Sequence, residues 1–96
     1  MKRVTTTEEM LKEFDDIWAE MRDILSKKSN DYGVECWQVL GAKGCFVDLN
    51  RKYWRLKTLV WDGNPSMVTE EKIFETVLDL ANHCFQMAFH IKHQKE

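Results

Sequence analysis

The stretch Thr69-Glu70-Glu71-Lys72-Ile73-Phe74-Glu75-Thr76-Val77-Leu78-Asp79-Leu80-Ala81-Asn82-His83-Cys84-Phe85-Gln86-Met87-Ala88-Phe89-His90 decides the fold class. Its apolar residues Ile73, Phe74, Val77, Leu78, Leu80, Ala81, Cys84, Phe85, Met87 and Ala88, continued by Ile91, recur at the spacing of a helix. Thr69 stands where a cap belongs, and Glu70 and Glu71 follow in the turn where the helix dipole favours acid. The apolar positions cover about half the circumference, more than a surface helix needs. A small unit cannot hide so broad a face by itself, so a dimer or higher oligomer is expected.

Working outward, two more helices are expected. Met10, Leu11, Phe14, Ile17, Trp18, Met21, Ile24 and Leu25 line one side of a helix from about Thr7 to Ser26, capped by Thr6 or Thr7. Lys27 and Lys28 close it, and Asn30 and Gly33 mark its stop. Residues 30–44 read as a loop. A second helix spans about Phe46 to Trp61, with Leu49, Tyr53, Leu56 and Val60 as its stripe and Phe46 and Leu59 beside it. Asp62-Gly63-Asn64-Pro65 is a turn. Strand signals are weak; Cys45-Phe46-Val47 is the one short candidate. The expectation is an all-α fold, three main helices in a small bundle completed by oligomerisation. It forms a single domain over 1–96, with 1–6 and 93–96 as flexible ends.

Composition excludes several classes. At 96 residues the chain is too short for a barrel or a doubly wound sheet, and 44% apolar with 31% charged residues reads as globular rather than disordered. A formal net charge of −2 argues against a DNA-coating protein, and nucleic acid is not the expected partner. No apolar run approaches the roughly 20 residues that span a bilayer. Met1-Lys2-Arg3-Val4-Thr5 leads into no apolar stretch, so no signal peptide is expected. Cys36, Cys45 and Cys84, odd in number and without CxxC spacing, suit reduced packing thiols in the cytoplasm.

Charge is distributed unevenly. Seven acids lie between Glu8 and Asp23 against Lys12 and Arg22, a local balance of −5. Lys43, Arg51, Lys52, Arg55 and Lys57 stand against Asp48, a balance of +4. Two solvated helix faces would explain this. The sharper alternative is a phosphate site. Asp48, Lys52 and Arg55 fall at i, i+4 and i+7, either an ion-pair ladder along one face or a grip for polyphosphate. In the second case Lys52 is the point charge and Arg55 the bidentate fork. Lys28 would add potential, and Tyr32, Trp37 and Trp54 would offer rings for a base to stack on. On the third helix Glu75 and Asp79, one turn apart, are candidate Mg²⁺ ligands, and Asp79 with His83 is a weaker transition-metal pair. His83 and His90 otherwise read as surface or interface residues. No nucleophile elbow, P-loop, HExxH or Rossmann glycine pattern occurs.

Lys28-Ser29-Asn30-Asp31-Tyr32-Gly33 with Trp37, then Lys52-Tyr53-Trp54-Arg55-Leu56, then Asp79-Leu80-Ala81-Asn82, resembles the nucleotide modification associated domain 1 family. These are small proteins frequent in bacteriophages and bacteria. The likeness runs from about Phe14 to Ile91, with Val34-Glu35-Cys36 between the glycine and Trp37. It implies a link to nucleotide metabolism, with Lys28, Asp31, Tyr32, Trp37, Lys52 and Arg55 as ligand-binding residues. More distantly the layout is similar to all-α MazG and dimeric dUTPase nucleotide pyrophosphatases. Their E-x-x-E metal motif does not occur here, and E-x-x-D occurs only on the first helix, at Glu13/Asp16 and Glu20/Asp23.

Three functions therefore stand open. One is a nucleotide-binding protein that, if an enzyme, hydrolyses a phosphoanhydride with Mg²⁺ held by Glu75 and Asp79. Another is a silent sponge that captures a nucleotide or cyclic nucleotide of host immune signalling, an anti-defence role in the host cytoplasm. The last is an acidic interaction or inhibitor protein acting through Glu13, Asp16 and Glu20.

Overall fold

Residue Thr6 opens the first helix because its extended backbone lets Oγ1 accept the Glu9 N–H at 3.1 Å. The Glu9 carboxylate in turn accepts the Thr5 N–H at 3.1 Å, a variant of the reciprocal capping box. The computed structural model describes residues 1–63 and 70–94, with Glu70 and Glu71 as backbone. Its contacts group the chain into two units, 1–34 and 35–96, each described by itself below. Thr69, Asn64 and Pro65, named above as cap and turn residues, lie outside the described residues.

The first unit is one helix, α1, over Thr7–Tyr32. It runs well past Ser26, the end expected from the sequence, and Lys27 and Lys28 are not in its last turn. Asn30 is helical, as are Asp31 and Tyr32, which were expected in a loop. Gly33 is the true stop. Its φ of 80° and ψ of 164° is a conformation that glycine alone adopts cheaply, and its N–H closes on the Ser29 carbonyl at 2.9 Å. Surface ion pairs line the helix: Lys12 with Asp16 at 3.2 Å and Lys27 with Asp23 at 3.0 Å. Lys2 pairs with Glu13.

The second unit holds α2 (Gly41–Leu56), a π-helical turn (Lys57–Trp61) and α3 (Glu70–Lys92). Two tight turns carry the chain into α2, the Gln38 N–H to the Glu35 carbonyl at 2.9 Å and the Gly41 N–H to the Gln38 carbonyl at 3.2 Å. Helix α2 thus begins five residues before the expected Phe46, and Cys45-Phe46-Val47 is helical rather than extended. Gly44 permits this early start. A Cβ on it would stand 2.5 Å from the Leu40 Cβ. The earlier start changes the buried face. Cys45 is buried, and Leu49, Lys52, Leu56 and Leu59 are half-buried at helical spacing, while Tyr53 and Val60 are exposed. The expected stripe of Leu49, Tyr53, Leu56 and Val60 is corrected by one register position.

Helix α2 packs along α3. The two run antiparallel: Trp37, just before α2, meets Phe89 and His90 near the end of α3, and Lys52 reaches Asp79 in its middle. On α3, Leu78 and Thr76 are buried, the Thr76 hydroxyl donating to the Lys72 carbonyl at 2.9 Å. Past Leu56 the backbone widens, and the Asp62 N–H bonds the Lys57 carbonyl five residues back at 2.9 Å. Among the described residues the fold is all-α, with no strand and no helix long and apolar enough to cross a membrane.

The thiols divide by position, which corrects their reading as three packing residues. Cys36 and Cys84 are exposed and only Cys45 is buried. Burial, and then the Asp48 carboxylate, push the Cys45 thiol above the usual range. In protein dilute enough to be monomeric, Cys36 and Cys84 are therefore expected to react quickly with an aromatic disulfide reagent and Cys45 only as the protein unfolds. Equal rates for all three would contradict the packing described. A protein neutral at Cys45 when folded loses stability as pH rises through the ordinary thiol range, since the unfolded thiol ionises first. Leu78→Ala is expected to cost about 2–5 kcal/mol and Gly33→Ala about 1–3 kcal/mol, read from denaturant titrations followed by circular dichroism.

Candidate functional site

Of the five bases on the segment of α2 and the π turn, three are held in ion pairs. Arg51 pairs with Asp48 one turn back, and Lys57 with Asp62 at 2.9 Å. Lys52 pairs across to α3, its Nζ 3.5 Å from Asp79 Oδ2. The ladder of Asp48, Lys52 and Arg55 is thereby corrected, because Asp48 holds Arg51 and not Lys52. Lys43 and Arg55 are exposed and have no ion-pair partner among the described residues.

Lys52 and Asp79 form the chemical centre of this unit. Their side chains are 34% and 24% exposed, so both charges are partly withdrawn from water. At 3.5 Å the contact is looser than the roughly 2.7–2.9 Å of a good charge-assisted hydrogen bond. An ammonium held so loosely keeps donors for another acceptor. Arg55 follows Lys52 by three residues on the same helix, within one turn of it.

Asp79 was also a candidate Mg²⁺ ligand with Glu75. Its carboxylate faces an ammonium, and Glu75 is exposed on the next turn. A divalent ion at Asp79 would share that carboxylate with the Lys52 ammonium. No group of three or more His, Cys, Asp or Glu that could hold a metal occurs among the described residues. His83 is engaged with Gln86, Nδ1 to Oε1 at 3.1 Å, rather than with Asp79.

Trp37 sits in the second unit as a packing ring. Its centroid is 5.3 Å from those of Phe89 and His90, both edge-on, and its carbonyl accepts the Cys45 thiol at 3.7 Å. His93 stacks at a tilt on Phe89 with centroids 4.7 Å apart. His90 Nε2 is buried and has no hydrogen-bond partner among the described residues, so this histidine is no simple surface group. Sequence reasoning missed this cluster. Its signal was Phe89, which falls outside the main apolar stripe of α3 and beside His90. Trp54 is exposed and meets Tyr53 edge-on at 5.4 Å.

Lys28, Asp31 and Tyr32 belong to the other unit, on the last turns of α1, all three exposed. They share one end of that helix at i, i+3 and i+4. Of the six ligand-binding candidates, Trp37, Lys52 and Arg55 share the α2–α3 unit, and Lys28, Asp31 and Tyr32 share α1. Two of the three sequence elements that carried the family likeness, K-x-x-R-L and D-L-A-N, meet through Lys52 and Asp79. No family model, curated protein or solved structure matches the chain.

A double-mutant cycle on Lys52→Met and Asp79→Asn is expected to return a coupling of about 1 kcal/mol in unfolding free energy, with each single variant losing more than the pair together. Strict additivity would mean that the two side chains do not meet in solution.

Proposed function

We propose that the chain binds a phosphorylated nucleotide and that it captures its ligand rather than cleaving it. The observation that carries this reading is the loose Lys52–Asp79 pair at 3.5 Å with exposed Arg55 one turn away. A phosphate arriving beside it takes hydrogen bonds from the Lys52 ammonium, already held in place by Asp79, and a bidentate pair from the Arg55 fork. Aspartate here is a positioning residue: it keeps an otherwise mobile ammonium at the interhelical surface. The resemblance to nucleotide-linked phage and bacterial proteins gives the ligand class. Within the same unit, the exposed ring of Trp54, next to Arg55 in the chain, gives a base a surface to stack on.

Capture is favoured over Mg²⁺-dependent hydrolysis because the Asp79 carboxylate faces the Lys52 ammonium. The reading therefore is a small cytoplasmic, oligomeric nucleotide-binding protein, of the kind a phage would use to sequester a host signalling nucleotide. A cyclic nucleotide suits it as well as a linear one, since the grip is on phosphate.

Calorimetry against a panel of linear and cyclic nucleotides tests this. Arg55→Ala is expected to weaken binding at least about tenfold, the loss of roughly 1.4 kcal/mol, with an unchanged thermal midpoint. Ligand recovered after incubation with Mg²⁺ is expected intact. If no nucleotide binds, or Arg55→Ala and Lys52→Ala bind like the parent, the assignment fails; cleaved product would replace capture with catalysis.

A further inference from the structure

Along α3, Phe74, Val77, Ala81, Cys84, Ala88 and Ile91 succeed one another at alternating intervals of three and four residues. This is the a/d repeat of a helix built to pair with another helix. At 100° per residue the seam lies about half a turn from Asp79, and so faces away from the Lys52 side of the helix. It is open: Phe74, Val77 and Ile91 are 39%, 45% and 55% exposed. Cys84 and Ala88 are exposed too. No charged side chain interrupts it over about 26 Å of helix.

We infer that this seam is where two copies of the chain pair, α3 against α3 and antiparallel. The partner must be apolar along the whole length, because a charged or nucleic-acid surface would find nothing to neutralise. The sizes of the seam residues point to a second copy. They run large, medium, small, small, small, large, so the order reads nearly alike in both directions. Antiparallel pairing sets Phe74 against Ile91, Val77 against Ala88 and Ala81 against Cys84. Large residues then close the ends, and small ones let the backbones approach at the centre. With its large residues only about half exposed, the seam offers a small area, that of a weak, reversible contact rather than a permanent one. A reversible dimer follows. This deepens the oligomeric part of the function proposed above and is independent of its nucleotide part.

The test uses the full chain without ligand, so its failure is separable from that of nucleotide binding. Sedimentation velocity over a wide concentration range is expected to show a monomer–dimer equilibrium. Val77→Glu and Ala88→Glu, both at exposed positions, should weaken it at least about tenfold with helicity retained. In a Cys36→Ser background, Ala81→Cys should form an intermolecular disulfide with Cys84 on mild oxidation, mapped by mass spectrometry. That arm decides the matter even where a charged variant unfolds. A monomer at every concentration overturns the inference. So does a dimer untouched by either charged variant, or oxidation that links only Cys84 to Cys84, which antiparallel pairing forbids.

Discussion

A lysine ammonium set between two antiparallel helices governs the second unit. Withdrawing such a charge from water is costly unless an opposite charge meets it, and Asp79 is the group that does so. The pair thereby ties the C-terminal part of α2 to the middle of α3. At the other end of the same contact, Trp37 lies against Phe89 and His90 and takes the Cys45 thiol on its carbonyl. One fixed point is ionic and one aromatic, and sliding the helices past one another breaks both.

The same pair links packing to chemistry. A fully satisfied, buried ion pair would be structural and silent. A fully exposed one would be worth little and hold nothing in place. Lys52 and Asp79 sit between these limits: the carboxylate restrains the ammonium without exhausting its donors. The neighbouring bases are disposed differently. Arg51 and Lys57 are neutralised within their own segment by Asp48 and Asp62, so the +4 balance counted along the sequence overstates the charge on offer to a ligand. Arg55 is what remains beside Lys52.

Apolar surface is partitioned as sharply as charge. The side of α2 that buries Cys45 and half-buries Leu49 leaves Tyr53 outside, and the side of α3 away from Asp79 carries an uninterrupted seam. An arc covering half of a helix cannot be hidden by one neighbour, and the excess on α3 is ordered by size and spacing rather than scattered.

The helices themselves were legible in the residue order. Periodic apolar positions, acids in the first turn of α1 and the Thr6 cap are local signals, and local signals survive without knowledge of the fold. Boundaries were less so. Asn30 only permits a stop, whereas Gly33 adopts a backbone conformation that enforces one, and Gly44 allows α2 to begin early only because Leu40 lies beside it. Which residues meet was not legible at all. Asp79 one turn from Glu75 has the spacing of a cation site, and Asp48 four residues before Lys52 has the spacing of a ladder. Only the packing of α2 on α3 decided that Lys52 answers Asp79 instead, because proximity across helices is a property of three dimensions and leaves no period in the chain.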